Sequence, residues 1–390
     1  MIWEILFWFS VACLLHSYFF YPVVLWVLGR SKQFGHAVFS ESDPALPTVS
    51  ILLAAYNEEK VIAEKIRSTF RTSYPHHKIE MLIGSDASTD ATNAIIRECE
   101  KEFPHLQLVN FPGRTGKAGI INELSKRAKN EVFILTDANV FFEEETIFHL
   151  TKHYKEKEIT LVGGNILNAE FKKDGISFQE KAYLATENRM KYYEGILWGT
   201  MIGAFGGCYS IRRSHYHPVP PRFFMDDFYI TMHALEDGGK AVNELEAVCF
   251  EDVSNKISEE FRRKVRISIG NFQNLGRFAG LLWPPFTGLS FSFFSHKVLR
   301  WLGPFFILVA LLGSGMLSGQ NQFYRLAFIV QLVLIAIPVL DLLFRKLGLH
   351  LVLLRFISHF YLMNLALLTG FLRFIYGVES NIWKPTQRNQ

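Results

Sequence analysis

Acidic and amide side chains that could bind a divalent cation follow the ends of several apolar segments in this chain. The clearest case is the heptapeptide ILTDANV, residues 134–140, in which Asp137 and Asn139 come directly after an apolar β-type run. Side chains two positions apart on an extended segment point to the same side, so this carboxylate and amide can converge on a hydrated metal ion. A turn or a helix cap explains the same two residues, because Asp and Asn favour both positions. The surrounding sequence has to distinguish between these interpretations.

The segments around ILTDANV alternate between strand-like and helix-like patterns. Val49–Ala55 is a continuous apolar run, which is typical of a strand buried on both faces, and the sequence from Asn57 predicts a helix that ends before Tyr74-Pro75. Further strands are expected at 79–84, 106–110 and 131–135, and further helices at 90–102 and 117–129. The alternation predicts an α/β fold with a mainly parallel, doubly wound sheet.

Polar residues collect at the carboxyl ends of these predicted strands, where ligands of such sheets bind. They are Tyr56, Asn57, Glu58, Asp86, Asp90, Asp137 and Asn139. Capping explains any one of them, and Asp90 is best explained in that way. Three consecutive strand ends that carry acids indicate a shared site that requires a cation, since clustered carboxylates repel each other unless a metal or a base offsets them.

An apolar stretch within residues 1–30 is long enough to span a bilayer. A cleaved signal peptide is the alternative. Such peptides carry a basic start and a shorter apolar core, whereas this segment carries Glu4 and no Lys or Arg before Arg30. Trp and Tyr residues cluster toward its ends, as they do at membrane interfaces. We therefore expect an uncleaved transmembrane helix.

The chain becomes apolar again toward its C-terminus. Residues 281–296 have the pattern of an interfacial segment. Residues 297–376 hold two candidate spans, at 298–317 and 323–344, and a possible third before a polar tail at 377–390. The last candidate, 349–376, contains basic residues, so it either faces partner helices or lies in the interface. Lys and Arg flank the spans on the side of residues 40–280, and the positive-inside rule therefore places this soluble-type domain in the cytoplasm.

Composition excludes other classes of protein. The net charge of +4 is small, and no basic stripe interleaved with aromatic residues indicates nucleic-acid binding. The four cysteines have no paired spacing, so we expect reduced thiols and neither a zinc site nor a disulfide framework. The sequence does not indicate an oligomeric state.

Six motifs between the apolar regions occur in a characteristic order. They are SILLAAYNEE, IGSDASTDAT, GRTGKAGIINEL, LTDAN, GAFGGCYSIRRS and FFMDDFYI. In this order they resemble the motifs of membrane-anchored family 2 glycosyltransferases, which include cellulose, chitin, hyaluronan and poly-N-acetylglucosamine synthases. The resemblance covers roughly residues 48–280. It implies a GT-A fold, which is a Rossmann-like α/β domain, and a hexosyltransferase that uses a UDP-sugar.

The resemblance implies donor-binding roles for four residues. Asp86 matches the Asp that contacts uracil, Tyr56 would pack against the base, and Glu58 would help to hold the nucleoside. Lys117, in a glycine-rich basic segment ahead of a helix, would bind the diphosphate together with backbone N–H groups. Strand-end packing for Tyr56, a helix N-terminal carboxylate for Glu58 and a solvated surface charge for Lys117 are the structural alternatives.

Asp137 and Asn139 match the Asp-x-Asp motif of the family, which binds Mg²⁺ or Mn²⁺ and the donor diphosphate. The second acid is replaced here by an amide, which can ligate a hard cation but adds no negative charge. We expect the site to remain, because the diphosphate also supplies charge.

The last motifs imply an acceptor site and a base. Asp227, at the start of a helix, matches the general base that an inverting transfer requires, and Arg266 is the one match to the Gln-x-x-Arg-Trp element of processive members, where it would clamp the diphosphate. The residues expected to line the acceptor site are Phe205, Gly206, Gly207, Cys208 and Asp226, of which the last is alternatively a helix cap. Arg263 and Ile267 replace the Gln and Trp of the element, which puts processive synthesis in question.

The leading interpretation is an inverting, metal-dependent transferase that extends an exopolysaccharide at the inner membrane of a bacterial-type cell. An alternative keeps the chemistry and transfers one sugar to a lipid-linked acceptor, as the incomplete Gln-x-x-Arg-Trp element favours. An inactive membrane-bound sensor or scaffold is a third hypothesis, based on Asn139 and Ile267. A nucleotidyl- or phosphotransferase does not explain the Asp226-Asp227 pair after a glycine-rich strand.

Overall fold

The computed structural model describes residues 1–168, 177–251, 257–347, 349 and 351–377. Its strands are β1 (Val49–Ala55), β2 (Ile79–Asp86), β3 (Leu106–Phe111), β4 (Val132–Thr136), β5 (Val140–Phe142), β6 (Ile159–Asn168), β7 (Cys208–Arg212) and β8 (Lys240–Glu251). The helices of the central domain are α2 (Ile62–Phe70), α3 (Thr92–Glu102), α4 (Lys117–Arg127), α5 (Thr146–Thr151), α6 (Ser177–Trp198), α7 (Asp226–Glu236) and α8 (Ile257–Phe278). The apolar helices are α1 (Ile2–Gly29), α9 (Gly288–Trp301), α10 (Gly303–Leu317), α11 (Gln322–Lys346) and α12 (Val352–Tyr376).

The strands form one mixed eight-stranded sheet in the order β3-β2-β1-β4-β7-β6-β8-β5. The first four are parallel, whereas β7 pairs with both β4 and β6 in antiparallel register. The chain moves outward from β1 to β3 and then returns to β4, so the strand order reverses between β1 and β4. A crevice opens outside the carboxyl ends of strands at such a reversal, and this is where Glu58 and Asp137 lie.

The apolar runs became central strands because both faces of the sheet are covered. All seven residues of β1 and all five of β4 are buried. Side chains alternate along each strand, so Ile51 and Ile134 contribute to one core and Leu52 and Leu135 to the other. The expected α/β domain with a mainly parallel centre is therefore present.

The first helix of the domain begins later than expected. Asn57 has φ of 53°, in the left-handed region, and its side-chain oxygen accepts a hydrogen bond of 2.8 Å from Thr89 N in the loop after β2. Asn tolerates this conformation better than most residues. The segment 57–61 is consequently a loop that ties together two strand ends, and α2 starts at Ile62.

Three described helices, α1, α11 and α12, are long and apolar enough to cross a membrane. The candidate span expected at 298–317 is broken instead, because α9 and α10 meet at an angle of 62°. Gly303-Pro304 opens α10, and proline cannot donate the backbone hydrogen bond that a continuous helix needs at this point. Counting the bent pair as one span gives up to four spans among the described residues.

Helix α12 packs directly against α8 of the central domain. Ser268 Oγ donates to the Leu367 carbonyl at 2.8 Å, and the rings of Phe272 and Phe371 are 4.8 Å apart in an edge-to-face contact. A Cβ atom on Gly370 would lie only 2.3 Å from Ser268, so the two helices approach more closely than larger side chains would allow. The last apolar helix is thus attached to the wall of the crevice. Residues Trp383–Arg388 resemble a Trp-x-Thr-Arg element of the polysaccharide synthases, which would imply a gating lid, and they lie outside the described residues.

Candidate active site

Asp86 fixes the glycine-rich loop in front of α4. Its carboxylate is fully buried and accepts hydrogen bonds from the backbone N–H groups of Thr115 and Gly116, and it forms an ion pair of 3.0 Å with Arg114 Nε. Both oxygens are therefore engaged by the loop. The direct contact with a base stays a prediction, and the observed function of Asp86 is to position residues 114–116.

Arg114 also covers Tyr56, the residue expected to pack against a nucleobase. The guanidinium carbon lies 3.3 Å from the centre of the tyrosine ring, at a distance typical of a cation–π contact. The Arg114 guanidinium therefore already occupies one face of this ring. A base that binds here has to stack beside or replace the guanidinium.

Lys117, at the first turn of α4, joins three segments of the crevice. Its ammonium lies 2.7 Å from Asp137 Oδ1 and 3.8 Å from Asp226 Oδ2, and it donates to the Gly206 carbonyl at 3.2 Å. Burial lowers the pKa of Lys117, but the carboxylates of Asp137 and Asp226 outweigh burial and hold the pKa above its usual value. The lysine is therefore a permanent cation within the acidic cluster, and the surface-charge alternative does not hold.

A buried lysine supports the Asp137-Ala138-Asn139 turn from below. Lys65 Nζ donates to Thr136 Oγ1 at 2.9 Å and to the Val140 carbonyl at 2.6 Å, and it lies 3.5 Å from the centre of the Phe142 ring. Burial lowers the pKa of Lys65 to about 7. These bonds link the two residues that flank the turn. The motifs do not include Lys65, although its place on the buried face of α2 was a signal in the sequence.

The oxygens of the turn suit a hard cation. Asp137 Oδ1 pairs with Lys117, while the Asn139 amide nitrogen points to Glu251 Oε1 at 3.4 Å. Among the described residues no group donates to the amide oxygen of Asn139, so this oxygen is available to a ligand. Carboxylate and amide oxygens are the donor types that Mg²⁺ and Mn²⁺ accept. The residues therefore fit the expected metal, and Glu251, at the end of β8, adds an acid that the motif comparison missed.

Asp226 and Asp227 begin α7 and face the same crevice. Met225, the preceding residue, has φ of 60°, and Asp227 Oδ1 accepts the backbone N–H of Phe228 at 2.8 Å. Burial and the neighbouring charge of Asp226 raise the pKa of Asp227 to about 6. A carboxylate with a pKa near neutrality is suited to act as a general base.

The glycine-rich segment before β7 allows close approach to Asp227. A Cβ atom on Gly206 would lie 2.8 Å from Asp227 Oδ2, and one on Gly207 would lie 2.7 Å from a methyl group of Val140. Phe205 lines the cavity together with both glycines. The two glycines are therefore required by the close contact of this segment with its neighbours.

Cys208 differs from its expected role. The side chain is fully buried in the core, where a Cβ on Gly164 would come within 2.5 Å of its sulfur. Because β7 begins at this residue, its side chain alternates away from the crevice. Cys208 therefore does not line the acceptor site. All four cysteines are buried and none forms a disulfide with another.

Arg266 lies on the crevice side of α8. It is among the residues that line the cavity, together with Ile267 and Asn271. Burial and the nearby Arg263 lower the pKa of Arg266, whereas Asp137 and Asp226 act in the opposite direction. Its position is that expected of a group that clamps a diphosphate, although no phosphate contact is tested by the structure.

One cavity of about 820 Å³ collects these residues and continues toward the apolar helices. Its crevice end includes Glu58, Lys117, Asp137, Asn139 and Asp227. Its other end is formed by side chains of α1, α9 and α12, namely Tyr18, Pro22, Lys297, Arg300, Phe360, Met363, Asn364 and Leu367. Tyr56, Asp86 and Cys208 lie outside the cavity lining. The second end carries no motif, so sequence reasoning did not find it.

A buried ionic network contributes several side chains to the lining of this cavity. His296 Nδ1 lies 2.7 Å from Glu194 Oε1, and His296 Nε2 lies 3.1 Å from Glu187. Glu187 also pairs with Lys297 at 3.0 Å and with Arg300. The network connects α6 of the domain to α9.

Comparison with known proteins agrees with this architecture. Residues 50–217 match the profile of glycosyl transferase family 2. The beta-monoglucosyldiacylglycerol synthase of Trichormus variabilis is 31% identical over 124 residues, which cover 31% of this chain and 26% of that protein. The poly-beta-1,6-N-acetyl-D-glucosamine synthase of Staphylococcus epidermidis is 28% identical over 158 residues, which cover 37% of this chain and 38% of that protein. The chain thus matches between about a quarter and two fifths of the length of these relatives.

A solved structure is similar over almost the whole chain. The mannosyltransferase of Pyrobaculum calidifontis, determined with GDP-Man and Mn²⁺, superposes with a TM-score of 0.70 at 19% identity and covers 95% of this chain and 99% of its own. Likeness at this identity shows the fold. The chain therefore carries a family 2 glycosyltransferase domain of the GT-A fold, which confirms the predicted family, fold and class of enzyme.

Proposed function

We propose that this glycosyltransferase moves one sugar from a UDP-sugar to an acceptor that is linked to a membrane lipid, with inversion and with a divalent cation. The observation that carries the proposal is the continuous cavity, because it joins the acidic crevice to the side chains of three apolar helices. An acceptor that enters this cavity from the bilayer would reach the crevice through the cavity itself. This moves the emphasis from exopolysaccharide extension, the leading interpretation of the sequence, to its lipid-linked alternative.

The donor would bind at the crevice end. The backbone N–H groups of the loop held by Asp86 and the ammonium of Lys117 suit a diphosphate, and Arg266 faces the same space from α8. Asp137 and the amide oxygen of Asn139 would hold Mg²⁺ or Mn²⁺. When bound, the cation offsets the charge that develops on the leaving diphosphate. UDP is inferred from the motif resemblance, while the superposed mannosyltransferase was determined with GDP-Man.

The acceptor hydroxyl would be activated by Asp227. This carboxylate lies against Gly206, and the absence of a side chain there lets the base sit directly beside the segment expected to line the acceptor site. Its pKa of about 6 leaves it ionised at neutral pH, so that it can accept the hydroxyl proton. Attack from the side opposite the leaving diphosphate inverts the configuration at the sugar carbon.

The apolar helices would place the domain at the inner face of a bacterial-type plasma membrane. Arg30, Lys297, Arg300 and Arg345 lie near helix ends on the side of the domain, which supports a cytoplasmic orientation under the positive-inside rule. A protease-protection assay on sealed membrane vesicles tests this orientation.

Product analysis with purified full-length protein tests the function. The protein is incubated with radiolabelled UDP-sugars and GDP-mannose, total membrane lipid extract and MnCl₂ or EDTA. We expect one labelled product that partitions into organic solvent, requires the metal and is absent with Asp227→Asn. A ladder of water-soluble chains would contradict the proposal in favour of a polysaccharide synthase. The absence of both transfer and metal-dependent donor hydrolysis would favour the inactive sensor.

A further inference from the structure

We propose that the membrane-side end of the cavity binds the phosphate that links the acceptor to its lipid, with Lys191 as the principal contact. The inference rests on the proposed function, because it names the chemistry of the acceptor in that transfer. No motif of the sequence marks Lys191, and none of the donor-side roles requires it.

Lys191 is a buried lysine on the lining of the cavity. It lies on α6, is 2% exposed and lines the cavity, and its ammonium sits 3.3 Å above the centre of the Phe205 ring. None of the described residues accepts a hydrogen bond from this ammonium. Burial, followed by the charge of Lys297, lowers the pKa of Lys191 to about 7. An anion in the cavity would supply the missing acceptor and restore the charged state.

Further cations lie near Lys191. Lys297 and Arg300 line the same cavity, and the charge of Lys297 acts together with burial to lower the pKa of Lys191. Glu187 pairs with both cations and so holds them in place before any ligand arrives. An ionised phosphate oxygen would accept a charge-assisted hydrogen bond from Lys191, which is stronger than the bond that a neutral hydroxyl group accepts.

The position of Lys191 fits a phosphate that lies between a reacting hydroxyl and a lipid tail. Phe205, on which the ammonium rests, immediately precedes Gly206, and Gly206 lies against the carboxylate of Asp227. Phe360, Met363 and Leu367 of α12 line the same cavity with apolar groups. The cavity therefore combines a base, a cation and an apolar wall. These three groups match an acceptor with a hydroxyl-bearing headgroup, a phosphate and a lipid chain.

Binding measurements on the full-length protein in neutral detergent test the assignment. The probes are farnesyl phosphate, farnesol and inorganic phosphate, each titrated by isothermal calorimetry against the wild type and Lys191→Met. We expect the wild type to bind farnesyl phosphate at least about tenfold more tightly than farnesol, which is what one charge-assisted hydrogen bond supplies. Lys191→Met should remove this preference without changing the affinity for farnesol, and Lys191→Arg should restore part of it.

Two controls separate the possible outcomes. Arg189→Met removes an exposed cation from the same helix and should leave every affinity unchanged. Equal binding of farnesol and farnesyl phosphate, or an unchanged preference in Lys191→Met, would overturn the phosphate site. Inorganic phosphate that binds as tightly as farnesyl phosphate would overturn its assignment to a lipid. Binding of UDP with Mn²⁺ in the same samples reports on the proposed function separately, because its loss in the wild type would refute that function whatever the lipid probes show.

Discussion

Gly206→Ala should disable catalysis while leaving the fold intact. The added Cβ would lie 2.8 Å from Asp227 Oδ2, which is about 0.6 Å closer than the 3.4 Å at which ordinary contact begins. The carboxylate sits at the start of α7 and is held by the Phe228 N–H, so it moves more easily than the strand that follows Gly206. A displacement of about 0.6 Å of a catalytic group should lower kcat between about tenfold and a hundredfold, since misplacement by 1 Å costs on that order.

The assay is a steady-state measurement of sugar transfer at saturating donor, with KM for the donor and the melting temperature recorded in parallel. Gly276→Ala on α8 is the matched control, because nothing lies within 4 Å of the added Cβ. It should leave kcat unchanged and stabilise the helix slightly. If Gly206→Ala retains the kcat of the wild type and melts normally, the close placement of the base against this glycine has no catalytic meaning and the reasoning is refuted.

Three further predictions concern the acidic crevice. The value of kcat/KM should fall about tenfold per pH unit below pH 6, because Asp227 must be deprotonated and its pKa is about 6. Asp226→Asn removes the neighbouring charge and should move this acidic limb of the profile to lower pH. A profile that is flat down to pH 5 would rule out Asp227 as the base. Asn139→Asp should tighten Mn²⁺ binding in the presence of UDP about tenfold, as measured by electron paramagnetic resonance, because it adds one anionic oxygen to the site; an unchanged affinity would show that this position does not ligate. Lys65→Met should weaken Mn²⁺–UDP binding about tenfold by loosening the turn that it supports, and unaltered binding would limit Lys65 to a packing role.

The sheet was largely predictable because its signals are local. Val49–Ala55 and the run before Thr136 are continuous apolar segments, and only a strand buried on both faces requires such a pattern between turn residues. Asp137, Asn139 and Asp227 were predicted as site residues for a related reason, since they follow these elements directly and match an ordered set of motifs. The family assignment depends on the same segments.

The remaining features depend on contacts between distant parts of the chain. Lys65 and Lys191 resemble ordinary helix-surface lysines, and only the packed structure shows that both are buried. Side chains of β7 point alternately to the two faces of the sheet, and the residue at which β7 begins decides that Cys208 points into the core. A shift of this start by one residue would turn Cys208 to the other face. The loop at Asn57 replaces the expected start of α2 because a partner, Thr89, lies 32 positions away.

The bend between α9 and α10 shows the same limit for the membrane region. Apolar content predicted one span at 298–317, but it carries no information on the angle between two successive helices. Gly303-Pro304 was visible in the sequence as a break, but the angle of 62° follows from how the two helices pack. The membrane-side half of the cavity, formed by α1, α9 and α12, could not be predicted for this reason.

A plug at the membrane end of the cavity tests the central claim most directly, which is that acceptor lipid reaches the acidic crevice through this one continuous space. Met363→Trp on α12 would fill the cavity, and Leu372→Trp, exposed on the same helix, is the matched control. With Met363→Trp we predict that transfer to lipid falls by about a hundredfold or more, while metal-dependent hydrolysis of the UDP-sugar continues at the rate of the wild type. Lipid transfer that persists in Met363→Trp at the rate of Leu372→Trp would contradict the account.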